Sequence, residues 1–212
     1  MKIGIIGAGK VGGALCKSLR EAGVNVVGLT AGTEADTLAA AEKFQVKGFA
    51  SNEELAASCD ILFLTVPDRL VGKVAGELAK PFSKQGETQT MQGKTFFHCS
   101  GSLGLEELQP LAAAGAEIGS LHPLQSFASA DVSFQGIYMA VDGTTEAQET
   151  GKAIATMLGA QIFVVPAAER KAYHAAACFA SNYVVAAMAV AQELMSKWTP
   201  TPEAGLAALL AL

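Results

Sequence analysis

Charge is scarce in this chain. Asp, Glu, Lys and Arg make up 17% of its 212 residues, and the net charge is −5. No basic run or basic face occurs. That argues against nucleic acid as a partner, because phosphate contacts need clustered Lys and Arg. Cysteine is thin as well. Cys16, Cys59, Cys99 and Cys178 are scattered, with no C-x-x-C and no close pair. This pattern excludes a disulfide framework and implies reduced thiols in a cytoplasmic protein. The first residues run straight into an apolar strand, so no signal peptide is expected. Nor is a membrane partner. The longest apolar-rich stretch, Ala175 to Leu194, contains Ser181, Asn182 and Gln192 and lacks flanking charge asymmetry. It reads as a buried or interface helix. The chain has no repeat and no low-complexity segment.

Glycine and apolar residues are plentiful: 22 glycines, and 50% hydrophobic residues. A chain of this length buries about 70% of its unfolded surface, which suits one large domain and a small one. The stretch KIGIIGAGKVGG, residues 2–13, organises the rest. Ile3, Ile5 and Ile6 form the apolar run of a buried parallel strand. Gly7, Gly9 and Gly12 follow in the spacing G-x-G-x-x-G, and Val11, Leu15 and Leu19 then share one helical face. Gly7 permits a tight turn, Gly9 lets backbone approach a diphosphate, and Gly12 lets helix pack closely on strand. Phosphates are expected on unpaired N–H groups at the helix start, where the dipole also favours negative charge. The expected dinucleotide contacts here are Gly7, Ala8, Gly9, Lys10, Val11 and Gly12. The rival reading is a glycine-rich turn with no ligand.

Strand and helix signals then alternate. Strands are expected at Val24–Leu29, Val46–Phe49, Asp60–Pro67, Thr95–Cys99, Ala116–Leu121, Ile137–Val141 and Gln161–Val165. Helices are expected at 35–44, 52–57, 69–80, 104–114 and 146–158, with Asp68 capping the fourth of the chain. Residues 81–93 are polar and aperiodic and read as a surface loop. This alternation predicts an α/β class with a doubly wound, mostly parallel sheet. At Pro166 the character changes. Glu169 to Trp198 reads as one long helix, Thr199-Pro200-Thr201-Pro202 breaks it, and Glu203 to Leu212 starts another. The division is therefore 1–166, a dinucleotide-binding domain, and 167–212, a small all-helical substrate and dimerisation segment. The last helix is so apolar that either the natural domain continues or a second copy covers it. A homodimer through these helices is expected.

The second strand ends in Thr30-Ala31-Gly32-Thr33, where an acidic residue would select NAD by holding the ribose 2′-OH. Its absence leans toward NADP, with NAD as the alternative. Thr30 and Thr33 hydroxyls are candidate phosphate donors, while Glu34 and Asp36 weaken the inference. Val66 and Pro67, ending a strand at the sheet's carboxyl edge, and Ser100, ending the next, complete the expected cofactor contacts.

Five segments together resemble a known family: IIGAGKVGGAL (5–15), LTVPD (64–68), FHCSG (97–101), GSLHPLQSFA (119–128) and YHAAACFASNY (173–183). The chain resembles Rossmann-like NADP oxidoreductases related to pyrroline-5-carboxylate reductase and the F420-dependent NADP reductases. Within these it resembles the group carrying a conserved C-terminal domain of unknown function, of the 6-phosphogluconate-dehydrogenase-like superfamily. The resemblance implies a Rossmann fold, a nicotinamide cofactor and a longer helical domain than this chain holds. That superfamily often places a Lys one turn before a helical Asn at the substrate. Here the residue four before Asn182 is Cys178, and Lys171 is eleven before, so a catalytic lysine is not carried over.

In a nicotinamide enzyme the protein supplies binding, orientation and a proton donor. His122 ends a strand at the carboxyl edge, where ligands bind in open α/β sheets. His174, Cys178, Ser181, Asn182 and Val185 share a helical face. The candidates for chemistry are His122 and His174 for the proton, with Asn182 and Ser181 orienting a small-molecule substrate. A purely structural role for His174 and Asn182 is the equal alternative, and His98, inside an apolar strand, reads as a core histidine. No metal is expected, although His174 and Cys178 with His122, Cys99 or His98 form a rival zinc set. The expected activity is hydride transfer between NADP and a small carbonyl, imine or hydroxy compound at an interdomain cleft. The alternative is a non-catalytic NADP(H)-binding sensor or scaffold.

Overall fold

The computed structural model describes residues 1–82 and 91–211. Most of the expected 81–93 loop, and Leu212 of the terminal helix, lie outside the described residues. Two compact units are present, Met1–Arg170 and Lys171–Leu212.

The first unit is built on eight strands. They are β1 (Lys2–Ile6), β2 (Asn25–Thr30), β3 (Lys47–Gly48), β4 (Ile61–Leu64), β5 (Thr95–His98), β6 (Glu117–Pro123), β7 (Tyr138–Gly143) and β8 (Gln161–Val164). Their order in the sheet is β3-β2-β1-β4-β5-β6-β7-β8. The first six are parallel. Buried on both faces, β1 and β4 are nearly all apolar, as parallel strands between helical layers tend to be, and β5, equally buried, sets Phe96 and Phe97 between Thr95 and His98. β7 departs from the parallel rule and runs antiparallel to β6. The physical reason is the connection between them: residues 124–137 form no helix, and a parallel return needs a crossover, usually helical.

One core lies on the sheet face carrying Ile3, Ile5, Phe63 and Phe97. It is covered by α1 (Lys10–Glu21), α2 (Glu34–Phe44) and α6 (Thr145–Met157) through Leu15, Leu19, Phe44 and Ile154. The other core, with Ile6, Leu62, Leu64 and Phe96, is covered by α3 (Asn52–Ser58), α4 (Asp68–Ala79) and α5 (Gln109–Ala113). Period-two alternation along each strand feeds both cores. The strand order reverses between β1 and β4, and that switch point opens a crevice at the strands' carboxyl ends.

Four local expectations are corrected. Asp68 is no side-chain cap: Pro67 occupies the N-cap and Asp68 is the first helical residue. The expected 104–114 helix is a 3₁₀ turn, Leu105–Leu108, followed by α5, because Pro110 lacks the N–H that a continuous helix would use. β6 extends through Pro123, so His122 lies inside the strand. The expected long helix, Glu169–Trp198, runs unbroken from Ala167 to Met195 but not as uniform α-helix: a 3₁₀ turn at Ala167–Glu169 leads into α7 (Arg170–Cys178), a π turn (Phe179–Tyr183) and α8 (Val184–Met195).

In the second unit α8 packs on α9 (Pro202–Leu210). Thr201 caps α9 by accepting from the Ala204 N–H at 3.2 Å. Gln192 Nε2 donates to the Pro202 carbonyl at 3.0 Å, tying the two helices across the turn. Val184, Val185, Val190, Leu194 and Trp198 are exposed. Ala167–Met195 is long and apolar enough to cross a membrane by length and composition.

Candidate functional site

The glycine turn between β1 and α1 is shaped from both sides. Gly7 has φ +100°, a conformation that favours glycine, and a Cβ there would stand 2.8 Å from the Thr65 carbonyl carbon and oxygen. A Cβ on Gly12 would stand 2.0 Å from the Gly7 oxygen and 2.4 Å from Thr65 Oγ1. Thr65 secures this arrangement by donating its hydroxyl to the Gly7 carbonyl at 2.6 Å. Gly9 is different. It is the N-cap of α1, in extended backbone, and no atom lies within 4 Å of where its Cβ would be. The fold therefore dictates glycine at 7 and 12, while Gly9 faces open space.

That space is a cavity of about 780 Å³. Seven expected contacts line it: Gly7, Ala8, Gly9, Lys10, Thr30, Val66 and Pro67. Val11 and Gly12 do not line it, but they stand in the first turn of α1, whose N–H groups have no intrahelical partner. Ser100 is not in the lining either. Its hydroxyl donates to Asp68 Oδ2 at 2.7 Å and accepts from the Ser102 and Leu103 N–H groups, which closes the turn after β5. Ser102 also donates to Asp68 Oδ2, at 3.1 Å. Asp68 thus binds the ends of β4 and β5 together.

The expected phosphate-donating hydroxyls are already engaged. Thr30 is buried and donates to Asn52 Oδ1 at 2.6 Å. Thr33 donates to Asp36 Oδ2 at 2.7 Å and accepts from the Asp36 N–H at 3.1 Å, as the cap of α2. The Ala31 N–H goes to Thr37 Oγ1 at 2.9 Å. Among the described residues, the cations lining the cavity are Lys10 and Lys43, and the carboxylate is Asp36. Lys43, Asn52 and Ser129 also line the cavity, beyond the expected contacts, while Asp36 is one of the two acids expected close to this end of β2. The 3–4 spacing of Asp36, Ala39, Ala40 and Lys43 along α2 was the available signal. Ser129 carried none, since it comes from the irregular segment after β6.

His98, Ser120 and His122 alternate onto one sheet face, His98 pairing in register with Ser120. His98 is fully buried, and its ring is pushed down to about 4, first by burial and then by the Arg170 guanidinium, with the Gly104 backbone opposing. Its Nδ1 accepts from the Ser100 N–H at 3.3 Å, which assigns the proton to Nε2. The core reading of His98 agrees with this burial. Arg170 is the unforeseen member. It is 1% exposed, donating Nε to the Leu103 carbonyl at 2.5 Å and a terminal nitrogen to Ser120 Oγ. An Arg in a polar stretch reads as solvent-facing, so nothing in the sequence marked it. His122 is half-buried on β6 opposite Ala140, outside the cavity lining.

The remaining candidates sit on α7 and its π turn. His174 Nε2 lies 3.6 Å from Cys178 Sγ. Ser181 Oγ donates to the Ala177 carbonyl at 2.7 Å, and Asn182 is exposed. The π turn adds a residue per turn after Cys178, so the expected single face from His174 to Val185 is out of phase beyond that point. Among the described residues, no three of His, Cys, Asp and Glu are grouped to hold a metal ion.

Residues 1–123 match the Rossmann-like domain model, and residues 137–212 match a domain of unknown function, DUF2520. A ketol-acid reductoisomerase (NADP(+)) of Corynebacterium jeikeium is 37% identical over 87 residues, which is 41% of this chain and 25% of that enzyme. The chain thus aligns with a quarter of that relative's length. Pyrroline carboxylate reductase of Plasmodium falciparum, solved with NADP bound, superposes with TM-score 0.70 at 17% identity over 100% of this chain and 75% of the other. Reductive aminase of Aspergillus terreus, solved with NADPH and ethyl-5-oxohexanoate, gives TM-score 0.76 at 16% identity over 99% and 71%. At these identities the likeness to the solved structures is one of fold.

Proposed function

Because the chain belongs to the Rossmann-like domain family, we propose that it is an NADP-dependent oxidoreductase acting on a small carbonyl, imine or hydroxy compound. One observation carries the reading: glycine at position 9 answers to no protein atom, yet faces a cavity of about 780 Å³ beside free helix-start N–H groups. Those groups and the α1 dipole suit a diphosphate. The relatives' NADP supports the choice of dinucleotide.

When bound, nicotinamide supplies or accepts the hydride. The chain's own part is to hold, orient and move a proton. Residues 7–12 grip the diphosphate, and Val66 and Pro67 wall the crevice beside β4. His122 and His174 are the candidates for the proton, with Ser181 and Asn182 orienting the substrate. His98 is not a candidate for this step, since burial holds it neutral and out of reach. The helical segment 167–212 serves substrate binding and pairing with a second copy, a role its exposed Val185, Val190 and Trp198 favour.

Titration with NADPH and NADH by calorimetry tests the reading. NADPH binding is expected, and binding of neither dinucleotide overturns it. A carbonyl, imine and hydroxy-acid screen followed at the reduced nicotinamide absorbance then separates an enzyme from a silent NADP(H) sensor. His122→Ala or His174→Ala lowers turnover while leaving NADPH affinity near wild type.

A further inference from the structure

The connection between β6 and β7, residues 124–137, has no helix, yet it is held in place at several points. Phe134 and Ala130 are buried, both in the core that α1 and α2 cover. The Phe127 and Phe134 rings lie 5.4 Å apart. On α1, Lys17 Nζ donates to Asp131 Oδ1 at 2.7 Å. The connection, α1 and α2 meet at Gly13, where a Cβ would stand 2.5 Å from the Phe44 ring and 2.8 Å from the Ala130 Cβ. The chain neighbours of those two residues, Lys43 and Ser129, both line the cofactor cavity. The Lys43 charge also acts on Asp131, two residues beyond Ser129, so ammonium and hydroxyl share one end of that cavity.

Among the described residues three hydroxyls line the cavity, and two of them are committed. Thr30 donates to Asn52 Oδ1, and Thr65 donates to the Gly7 carbonyl. Ser129 Oγ instead accepts, from the Asp131 N–H at 3.1 Å. The acceptor near its own proton is the Asp131 carboxylate, which Lys17 already satisfies. Lys17 is the main cause holding that carboxyl below its ordinary range, and the Ser129 hydroxyl contributes least. A ligand oxygen therefore takes the Ser129 proton at less cost than that of Thr30 or Thr65.

Resting on the NADP reading of the cavity, we propose that Ser129 is a specificity-determining residue that donates its hydroxyl to the phosphate NADP carries and NAD lacks, with Lys17 positioning it through Asp131. The phosphate lies between the Lys43 ammonium and the Ser129 hydroxyl. A hydrogen bond to a charged acceptor is about twice as strong as a neutral one, so one hydroxyl is enough to discriminate. Lys17 acts at one remove. It neutralises Asp131, a carboxylate that would otherwise keep the Ser129 proton and repel the phosphate. The β6–β7 connection thus supplies a wall of the cofactor site that the glycine turn and α2 do not.

Calorimetric titration of the full chain with NADPH and with NADH tests this. Ser129→Ala weakens NADPH by about tenfold, leaves NADH unchanged and keeps the wild-type melting temperature. Ser129→Thr, which retains the hydroxyl, binds NADPH as wild type does, and Ser129→Gly serves as the second variant should Ala disturb the turn. Lys17→Met weakens NADPH alone, and Lys17→Met with Asp131→Asn restores it, because the carboxylate that Lys17 neutralises is then gone. Wild-type NADPH affinity in both Ser129→Ala and Ser129→Gly, or equal losses for NADPH and NADH, overturns the role of Ser129 and leaves the cofactor reading standing. No rescue in the double variant overturns the role of Lys17. Wild-type protein that binds neither dinucleotide overturns the cofactor reading and the role of Ser129 together.

Discussion

Gly12 lies so close to Gly7 that a Cβ on Gly12 would sit 2.0 Å from the Gly7 carbonyl oxygen, whereas one on Gly9 would touch nothing. The two glycines therefore fail in different ways when replaced. Gly12→Ala must push α1 away from β1, and overpacking of this kind costs about 1–3 kcal/mol. Gly9→Ala meets no protein atom and leaves folding intact. Its methyl occupies the space a diphosphate needs, so nucleotide affinity collapses. Thermal unfolding of both variants, paired with NADPH titration, checks the contrast. A Gly9→Ala protein that melts normally and binds NADPH as well as wild type would sink the proposed cofactor site.

His98 makes stability depend on pH. Its folded value, about 4, lies below the ordinary histidine value of 6.5. The unfolded chain therefore binds a proton in a range where the folded chain does not, and stability falls as pH drops from 6.5 toward 4. The loss attributable to His98 at pH 5 is about 2 kcal/mol. Carboxylates titrate near this range as well, so the comparison is between wild type and His98→Gln. Urea unfolding at pH 7 and pH 5 gives a smaller drop in the variant. An equal drop in both proteins refutes the assignment.

Local rules made much of the fold readable in advance. β1 and β4 are short apolar runs bounded by turns, β5 is marked by its Phe96–Phe97 pair, and nothing competes with the strand reading there. β7 escaped its direction because direction is set by the helix-free connection after β6, and periodicity says nothing about that. The candidate site divides the same way. Gly7, Gly9 and Gly12 announce themselves because backbone geometry selects the residue. The fates of Thr30 and Ser100 are decided by Asn52 and Asp68, which are 22 and 32 residues distant in the chain. A hydroxyl's partner at such separation is a tertiary fact. Arg170 is the extreme case, since its partner Ser120 is 50 residues away.

Arg170 should be replaceable by nothing smaller. Arg170→Met keeps the volume but leaves the Leu103 carbonyl and Ser120 hydroxyl without their buried donor. Each unmet group costs about 1–3 kcal/mol, so a loss of about 2–6 kcal/mol is expected for the two. Arg170→Lys recovers little, because one ammonium on a flexible stem does not reproduce the planar fork. Chemical denaturation of the two variants measures both losses. A Lys variant as stable as wild type would mean that charge alone, and not the geometry of the fork, is what this pocket requires.

Charge at the cavity should set the choice between NADPH and NADH. With the Thr30 and Thr33 hydroxyls engaged, a 2′-phosphate has Lys10 and Lys43 as its available cations, and Asp36 opposes it. Lys10 opens α1 beside the glycines, so it answers to the diphosphate common to both dinucleotides. Lys43, on the same face of α2 as Asp36, is the cation left to discriminate. Lys43→Ala is expected to weaken NADPH by about tenfold, the worth of one charge-assisted hydrogen bond, and to leave NADH unchanged. Asp36→Asn works in the opposite sense and tightens NADPH alone. Lys10→Ala weakens both. Calorimetric titration of the three variants with the two dinucleotides resolves these effects. Equal losses for NADPH and NADH in Lys43→Ala would move the selecting contact to the backbone of the β2–α2 turn.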